Sequence, residues 1–259
     1  TDTESRAREG STASAPPERP RVVVTMPAHA TERTVAKTFN DLPPGVADKV
    51  ILVDDGSPDD TAKVAEGLGI EVVKHPRKMG YGGAQKSCYD AALAAGADIV
   101  VLLHSDYQYT PKAVPALIEP LLAGRADFTF GSRFAAGGKP MQGGMPIHRY
   151  VGNKVTTFLE NVILGTHFAE LHSGLKAYTR QFLEGLPYHS YSDNYVFDSQ
   201  MIVDAVLLGY RIEEVPIPTR YAPDSQSVSV VEGLRYVWLT LWTCLKRKYW
   251  QRPQRSARE

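Results

Sequence analysis

The sequence predicts an α/β domain with a mostly parallel sheet flanked by helices, and two observations carry that prediction. Short apolar, β-branched runs alternate with helical segments of about 10–15 residues, the pattern of successive βαβ units. The 259 residues are 43% hydrophobic and 22% charged, enough apolar material for a sizeable core and too much for wholesale disorder.

Taken in order, residues 21–26 (RVVVTM) form the first strand, stopped by Pro27, and residues 31–41 a helix. Residues 49–53 (KVILV) are the second strand, 58–68 a helix and 70–74 the third strand. An Ala-rich helix over 80–95 leads to a fourth strand at 98–103 (DIVVLL). Open sheets of this kind bind ligands beyond the carboxyl ends of their strands, so the chemistry is expected just after residues 26, 53, 74 and 103. A helix at 111–123 and a strand at 126–130 follow. Residues 135–146 (AAGGKPMQGGMP) hold too much Gly and Pro for either element and read as a lid or binding loop, or as a tolerated insertion. Helices at 149–164 and 195–208, with strands at 175–178 and 211–216, complete a single domain over 21–229.

The ends read differently. Residues 1–20 are polar, carry no apolar stretch, and are expected to be a disordered lead-in rather than a secretory signal; 252–259 are a disordered tail. Residues 230–251 form a C-terminal amphipathic helix with Trp238, Trp242 and Trp250 among Leu, Val and Tyr, and Lys246-Arg247-Lys248 near its end. Such a helix suits peripheral contact with a membrane interface and equally suits docking on the domain. No apolar run reaches the roughly 18–20 residues of a membrane span, so a cytoplasmic protein is expected.

Charge and cysteine count exclude other classes. Lys and Arg number 29 against 29 Asp and Glu, which argues against nucleic acid as a partner because phosphate affinity needs a basic excess. Two cysteines, Cys88 and Cys244, make neither a disulfide scaffold nor a zinc-finger spacing and read as reduced thiols.

Three segments carry chemistry. Asp54-Asp55-Gly-Ser-Pro-Asp-Asp-Thr61 places two acids at the end of the second strand, before a Gly turn and a cap from Ser57 or Asp59. A carboxylate there accepts hydrogen bonds from a nucleobase or ribose; a capped turn with solvated acids is the plainer alternative. His75-Pro-Arg-Lys-Met-Gly-Tyr-Gly-Gly-Ala-Gln-Lys86 is Gly-rich between strand and helix, so Gly80 and Gly82 let backbone approach a diphosphate. Lys86, one helical turn on, is placed for a phosphate or for solvent. Leu103-His-Ser-Asp-Tyr-Gln108 ends the fourth strand; in extended chain His104, Asp106 and Gln108 point to one side. Asp106 and Gln108 offer hard oxygens for Mg²⁺ or Mn²⁺, and His104 either joins them or is a satisfied strand-end histidine.

This ordered trio resembles the family 2 glycosyltransferases, and within them the polyprenyl-phosphate group of the dolichyl-phosphate mannose synthase type, over about residues 21–229. The resemblance implies a GT-A-type nucleotide-diphosphosugar-binding fold, a nucleotide sugar donor, a divalent cation and inversion at the anomeric carbon. Pro27-Ala28 resembles the family's opening "P-A-Y-N-E-E", with Glu32 keeping one acid. Asp55 matches the acid that contacts the nucleobase and Asp54 its neighbour. Asp106 matches the second aspartate of "D-x-D-x-Q" and Gln108 the glutamine, with Ser105 between; the first aspartate is His104 here, which removes a negative ligand and is expected to weaken metal binding or shift it toward Mn²⁺. Gly131-Ser-Arg133 and the stretch from Arg149 to Asn153 resemble places where arginines face phosphate, and His172-Ser-Gly-Leu-Lys-Ala-Tyr178 resembles the strand "T-G-F-R-A-F". Asp198 matches an acid on the acceptor side. Arg220 resembles the arginine of a closing "R-x-x-G-x-S-K" loop whose Gly and Lys are missing here.

The resemblance thus implies catalytic roles for Asp106, Asp198, Arg133, Arg149 and Arg220, and donor contacts from Pro27, Ala28, Glu32, Asp54, Asp55, Gly80, Gly82, Lys86, Ser105 and Asp106. The acceptor is a polyprenyl phosphate, whose oxygen is already anionic, or a hydroxyl of a small molecule or cell-surface precursor. A hydroxyl needs a base, for which Asp198 comes first and Asp193 second. A nucleotide-sugar sensor without turnover is the alternative from another class, motivated by His104. A nucleotidyltransferase is a third, without a Gly-rich triphosphate loop to support it. Base, sugar and oligomeric state are not readable from the sequence.

Overall fold

The strands are β1 (Val22–Ala28), β2 (Lys49–Asp54), β3 (Glu71–Lys74), β4 (Ile99–Leu102), β5 (Phe128–Ser132), β6 (Lys176–Thr179) and β7 (Ile212–Pro216). A computed structural model describes residues 19–135, 141, 143–218 and 230–254, by backbone alone at 230–232 and 234. The expected lead-in up to residue 18, half of the Gly/Pro loop, Arg220 and the last five residues lie outside the described residues. The strands form one sheet in the order β3-β2-β1-β4-β6-β5-β7. All neighbours are parallel except β6, which runs antiparallel to both β4 and β5. The sheet is therefore mostly parallel, as expected.

Both faces of the sheet are covered, which explains why β1 is apolar at nearly every position. Val22, Val24 and Met26 point into one core cluster with Leu52 and Val101, while Val23 points into the other with Ile51 and Val53. The helices are α1 (Val35–Asn40), α2 (Thr61–Gly67), α3 (Tyr81–Ala94), α4 (Val114–Leu122), α5 (Ile147–Leu164), α6 (Arg180–Glu184), α7 (Val196–Leu207) and α8 (Val230–Tyr249). Cys88 and Cys244 are unpaired and buried.

Three differences from the sequence expectation have local causes. Strand β1 does not stop at Pro27 but runs through it to Ala28, pairing Pro27 with Val53. The β4 ladder has ended at Thr25–Leu102, and odd-numbered residues of β1 present their amides to the β4 side, so the missing proline N–H removes no ladder bond. Helices α1 and α2 start later than expected. Thr31 is tied by its amide to Thr61 Oγ1 at 2.8 Å, and Asp59 accepts from the Thr61 hydroxyl at 2.6 Å, so the preceding residues serve as turns. The short α6 was not expected; Thr179 caps it by accepting from the Phe182 amide at 3.2 Å.

Candidate active site

Strands β2 and β3 lie on one side of β1 and β4 on the other, so the loops leaving β1 and β4 diverge and open a crevice at their carboxyl ends. Ser105 stitches its two walls together. Its hydroxyl lies 3.0 Å from the Pro27 carbonyl and 3.0 Å from Thr31 Oγ1. Ala30 (φ 55) and Tyr107 (φ 58), one in each loop, are the non-glycine residues in the left-handed region among the described residues. Such backbone persists where its surroundings fix it. Tyr107 is fixed by a hydrogen bond from its hydroxyl to Asp41 and by Lys37 Nζ, 4.1 Å over its ring. Residues 104–108 are consequently a turn, closed by Gln108 N donating to Asp106 Oδ1 at 3.0 Å, and not the extended chain expected.

The crevice holds two adjoining cavities. One, about 130 Å³, is lined by Pro27, Ala28, Asp55, Lys78, Ser105 and Asp106 among others. The second, about 350 Å³, is lined by Gln108, His172, Asp198 and Tyr236 among others. Tyr81, His104, Asp106 and Tyr195 belong to both, so Asp106 sits at the seam. Tyr81 stacks on His104 with centroids 5.6 Å apart and meets Tyr195 at 4.8 Å. The strand-end acids Asp55 and Asp106 thus face the same cavity.

Several expected site residues are engaged elsewhere. Asp55 accepts from the amides of Met79 (2.6 Å) and Gly80 (3.0 Å) and sits 2.8 Å from His75 Nδ1, so its carboxylate holds the Gly-rich turn while lining the cavity. Asp54 closes its own turn by accepting from Ser57 N at 3.1 Å. Glu32 accepts from Asp60 N at 3.1 Å ahead of α2 and does not line the crevice. Gly80 and Gly82 meet protein rather than open space: a Cβ on Gly82 would lie 2.3 Å from the Ser192 carbonyl, and one on Gly80 2.6 Å from that of Asp193. Lys86 pairs with Asp193 at 2.7 Å and with the Tyr191 carbonyl, and the cation of that segment that lines the first cavity is Lys78.

Arg133 differs most from expectation. Its Nε donates to Glu170 Oε1 at 2.7 Å, its Nη2 makes a second bond to that oxygen, and its amide donates to Glu170 Oε2 at 2.7 Å. Both side chains are buried, so this guanidinium is an internal ion pair and not a phosphate clamp. Arg149 lies on the first turn of α5, outside the residues lining either cavity.

Asp198 lines the second cavity with both carboxylate oxygens already in contact with other side chains. It accepts from Tyr81 OH (2.8 Å) and Gln85 Nε2 (3.0 Å) and lies 2.6 Å from Lys176 Nζ. Burial pushes the Lys176 ammonium below its usual range, and Asp198 offsets part of that. The sequence reading passed over Lys176, although a lysine between Leu175 and Ala177 in a buried strand was the signal. His104 is half-buried with its Nε2 enclosed, and desolvation outweighs the nearby Asp106 and Asp198 to lower its pKa, leaving a neutral ring. Its Nε2 makes no hydrogen bond.

His172 and Tyr236 were also missed. His172 Nε2 lies 2.9 Å from Glu160 of α5 and its Nδ1 3.0 Å from Tyr236 OH of α8. Burial pulls the imidazole down, but the charges of Glu160 and Glu170 outweigh burial and Arg133, and its pKa is raised. A raised histidine contributes stability that is complete below the ordinary value of about 6.5 and lost as pH rises through the folded value. Glu160→Gln is therefore expected to lower the melting temperature most below pH about 6.5, with the difference from wild type shrinking at higher pH. Thermal unfolding across pH 5.5–9 checks this, and a pH-independent difference contradicts it.

Asp106 and Gln108 oxygens and the neutral His104 ring suit a divalent cation chemically. No three His, Cys, Asp or Glu side chains close into a ligand set among the described residues. The protein donors therefore fit a cation shared with substrate oxygens rather than a cage of their own.

Comparison with known proteins agrees with this geometry. The family model described as glycosyl transferase family 2 matches residues 23–186. UDP-N-acetylglucosamine–dolichyl-phosphate N-acetylglucosaminyltransferase of Methanococcus voltae is 28% identical over 80% of this chain and 88% of its own. Polyprenol monophosphomannose synthase of Mycolicibacterium smegmatis is 30% identical over 65% of each. Among solved structures, glucosyl-3-phosphoglycerate synthase from Mycobacterium tuberculosis, in complex with Mn²⁺, UDP-glucose and phosphoglyceric acid, superposes with a TM-score of 0.68. It is 25% identical, over 88% of this chain and 79% of that one.

Proposed function

The chain belongs to glycosyl transferase family 2, whose model covers more than half of it, and from that premise we propose that it moves a sugar from a nucleotide diphosphosugar to a polyprenyl phosphate with inversion. The observation that carries the acceptor is the state of Asp198. A hydroxyl acceptor needs a base with a lone pair aimed at the substrate. Both Asp198 oxygens are already engaged, Oδ2 by Tyr81 and the nearby Lys176 ammonium and Oδ1 by Gln85, and Asp193, the other candidate, is paired with Lys86. A phosphate monoester arrives with its nucleophilic oxygen already ionised and asks for no base. The names of the dolichyl-phosphate and polyprenol relatives support the same acceptor.

In this reading the nucleotide lies along Ala28 and Asp55, with Lys78 near the diphosphate. Asp106, at the seam, faces the bond that breaks. Charge grows on the departing diphosphate as the anomeric carbon becomes oxocarbenium-like, and fixed positive groups at that point lower the barrier. Asp106, with Gln108 and His104 beside it, would hold a divalent cation, which when bound would supply Lewis-acid stabilisation of that charge. Tyr81 and Tyr195 wall off the seam, and Asp198, locked by Lys176, positions Tyr81.

One observation favours a hydroxyl acceptor instead: the unbonded Nε2 of neutral His104 could take a proton. Radiolabelled UDP-, GDP- and dTDP-sugars offered with polyprenyl phosphate or with soluble phosphorylated acceptors, with and without Mn²⁺, separate the two. Transfer to a soluble hydroxyl and to no lipid phosphate overturns the proposed acceptor. His104→Asp adds a carboxylate beside Asp106 and is expected to tighten Mn²⁺ binding in the presence of nucleoside diphosphate. Unchanged affinity by calorimetry means that position 104 does not contribute to the cation.

A further inference from the structure

The sequence singles out α8 as the amphipathic element, but the structure sets a second helix beside it. On α5, Ile147, Val151, Val155, Phe158 and Val162 recur at spacings of three and four and are each more than half exposed. Trp238 (68% exposed) and Trp242 stand on α8 and Trp250 (68%) directly follows it, with Trp238 and Trp242 stacked 6.5 Å apart. The two helices are locked together: Cys244 packs with Leu164, Lys248 Nζ donates to the Ile163 carbonyl, and Tyr236 reaches Glu160 through His172.

Charge identifies what covers this surface. The one acid within α5 is Glu160, which is 2% exposed and paired with His172. Residues 233–254 contain no Asp or Glu at all. Around the apolar residues the two segments carry Arg149, Lys154, Arg235, Lys246, Lys248 and Arg252. A two-fold dimer through this face would set like charges against each other. Exposed apolar and aromatic residues on segments with this excess of cations match the interface of an anionic bilayer.

We propose that α5 and α8 together form one platform that seats the protein on an anionic membrane surface. Gly233 and Tyr236 line the second cavity from the same helix that bears Trp238 and Trp242, so the platform borders the acceptor compartment. Membrane seating does not depend on the acceptor reading: it is measured without donor or acceptor, so a failure of lipid-phosphate transfer leaves it standing, and the reverse holds too.

Of the chain's three tryptophans, Trp238 and Trp242 lie on α8 and Trp250 directly follows it, so tryptophan fluorescence reports on that helix and its end. Phosphatidylglycerol-containing vesicles are expected to shift the emission to the blue and to float the protein, with binding about tenfold or more above neutral phosphatidylcholine vesicles and weakened by salt. Val155→Glu with Phe158→Glu is expected to cut vesicle binding at least tenfold at unchanged melting temperature, since both side chains are exposed. Three results overturn the proposal. These are unshifted emission with anionic vesicles, wild-type binding by the double variant, or a dimer in sedimentation that the double variant makes monomeric.

Discussion

Asp106→Asn is expected to reduce sugar transfer by about 100- to 1000-fold while leaving the fold intact. The amide keeps an oxygen for the Gln108 N–H, so the turn holding Tyr107 in its left-handed conformation survives. What is lost is one negative charge at the seam of the two cavities, where the leaving diphosphate and its cation must be held. Removing a single preorganised charge-stabilising group from a water-poor site costs about 3–4 kcal/mol in the transition state. Asp106→Ala, which removes the turn bond as well, should be no more active and somewhat less stable. The effect belongs in kcat, and added Mn²⁺ should recover part of it if the defect is one of cation affinity. Transfer within threefold of wild type would remove Asp106 from the reaction.

The second large effect is on stability. Glu170→Gln strands the buried Arg133 guanidinium without its counter-charge, and breaking such a pair from one side costs about 3–5 kcal/mol. At roughly 2–4 °C per kcal/mol for a chain of this size, the melting temperature should fall by about 10 °C. Arg133→Met combined with Glu170→Gln removes both charges, keeps an acceptor for the Arg133 amide, and should recover much of the loss. The double variant decides between two roles for the same arginine. An internal ion pair predicts restored stability and near-normal transfer; an arginine facing substrate phosphate predicts that Arg133→Met loses transfer at little thermal cost.

That arginine also shows where sequence reading runs out. Gly131-Ser-Arg133 looks the same whether the guanidinium meets phosphate or a carboxylate, because its partner Glu170 lies 37 residues away and is brought close only by the fold. The strands were legible because burial on both faces of the sheet writes an unbroken apolar run, as in β1. Even so, Pro27 misled as to where β1 ends, since only the length of β4 decides whether its amide is needed. The direction of β6 leaves no trace in its four residues. At the site, Asp55, Ser105, Asp106, His104 and Gln108 line the crevice beyond the strand ends, where their positions in the sequence put them. Geometry within the site was not: 104–108 turns where extended chain was expected, yet the same three side chains reach one cavity. Lys176 and His172, quoted only as part of a strand motif, and Tyr236 were given no role of their own, because a buried lysine and two aromatic residues on separate elements acquire meaning through each other.

The close approach of α3 to the segment before α7 has a mechanical consequence. Gly82 donates its amide to the Asp193 carbonyl at 2.8 Å with no room for a side chain between, and Tyr81, one residue earlier, grips Asp198 inside α7. The wall beside the nucleotide and the wall beside the acceptor are thereby riveted into one body with no hinge at that joint. In the proposed reaction, that joint therefore offers the donor and acceptor compartments no glycine hinge.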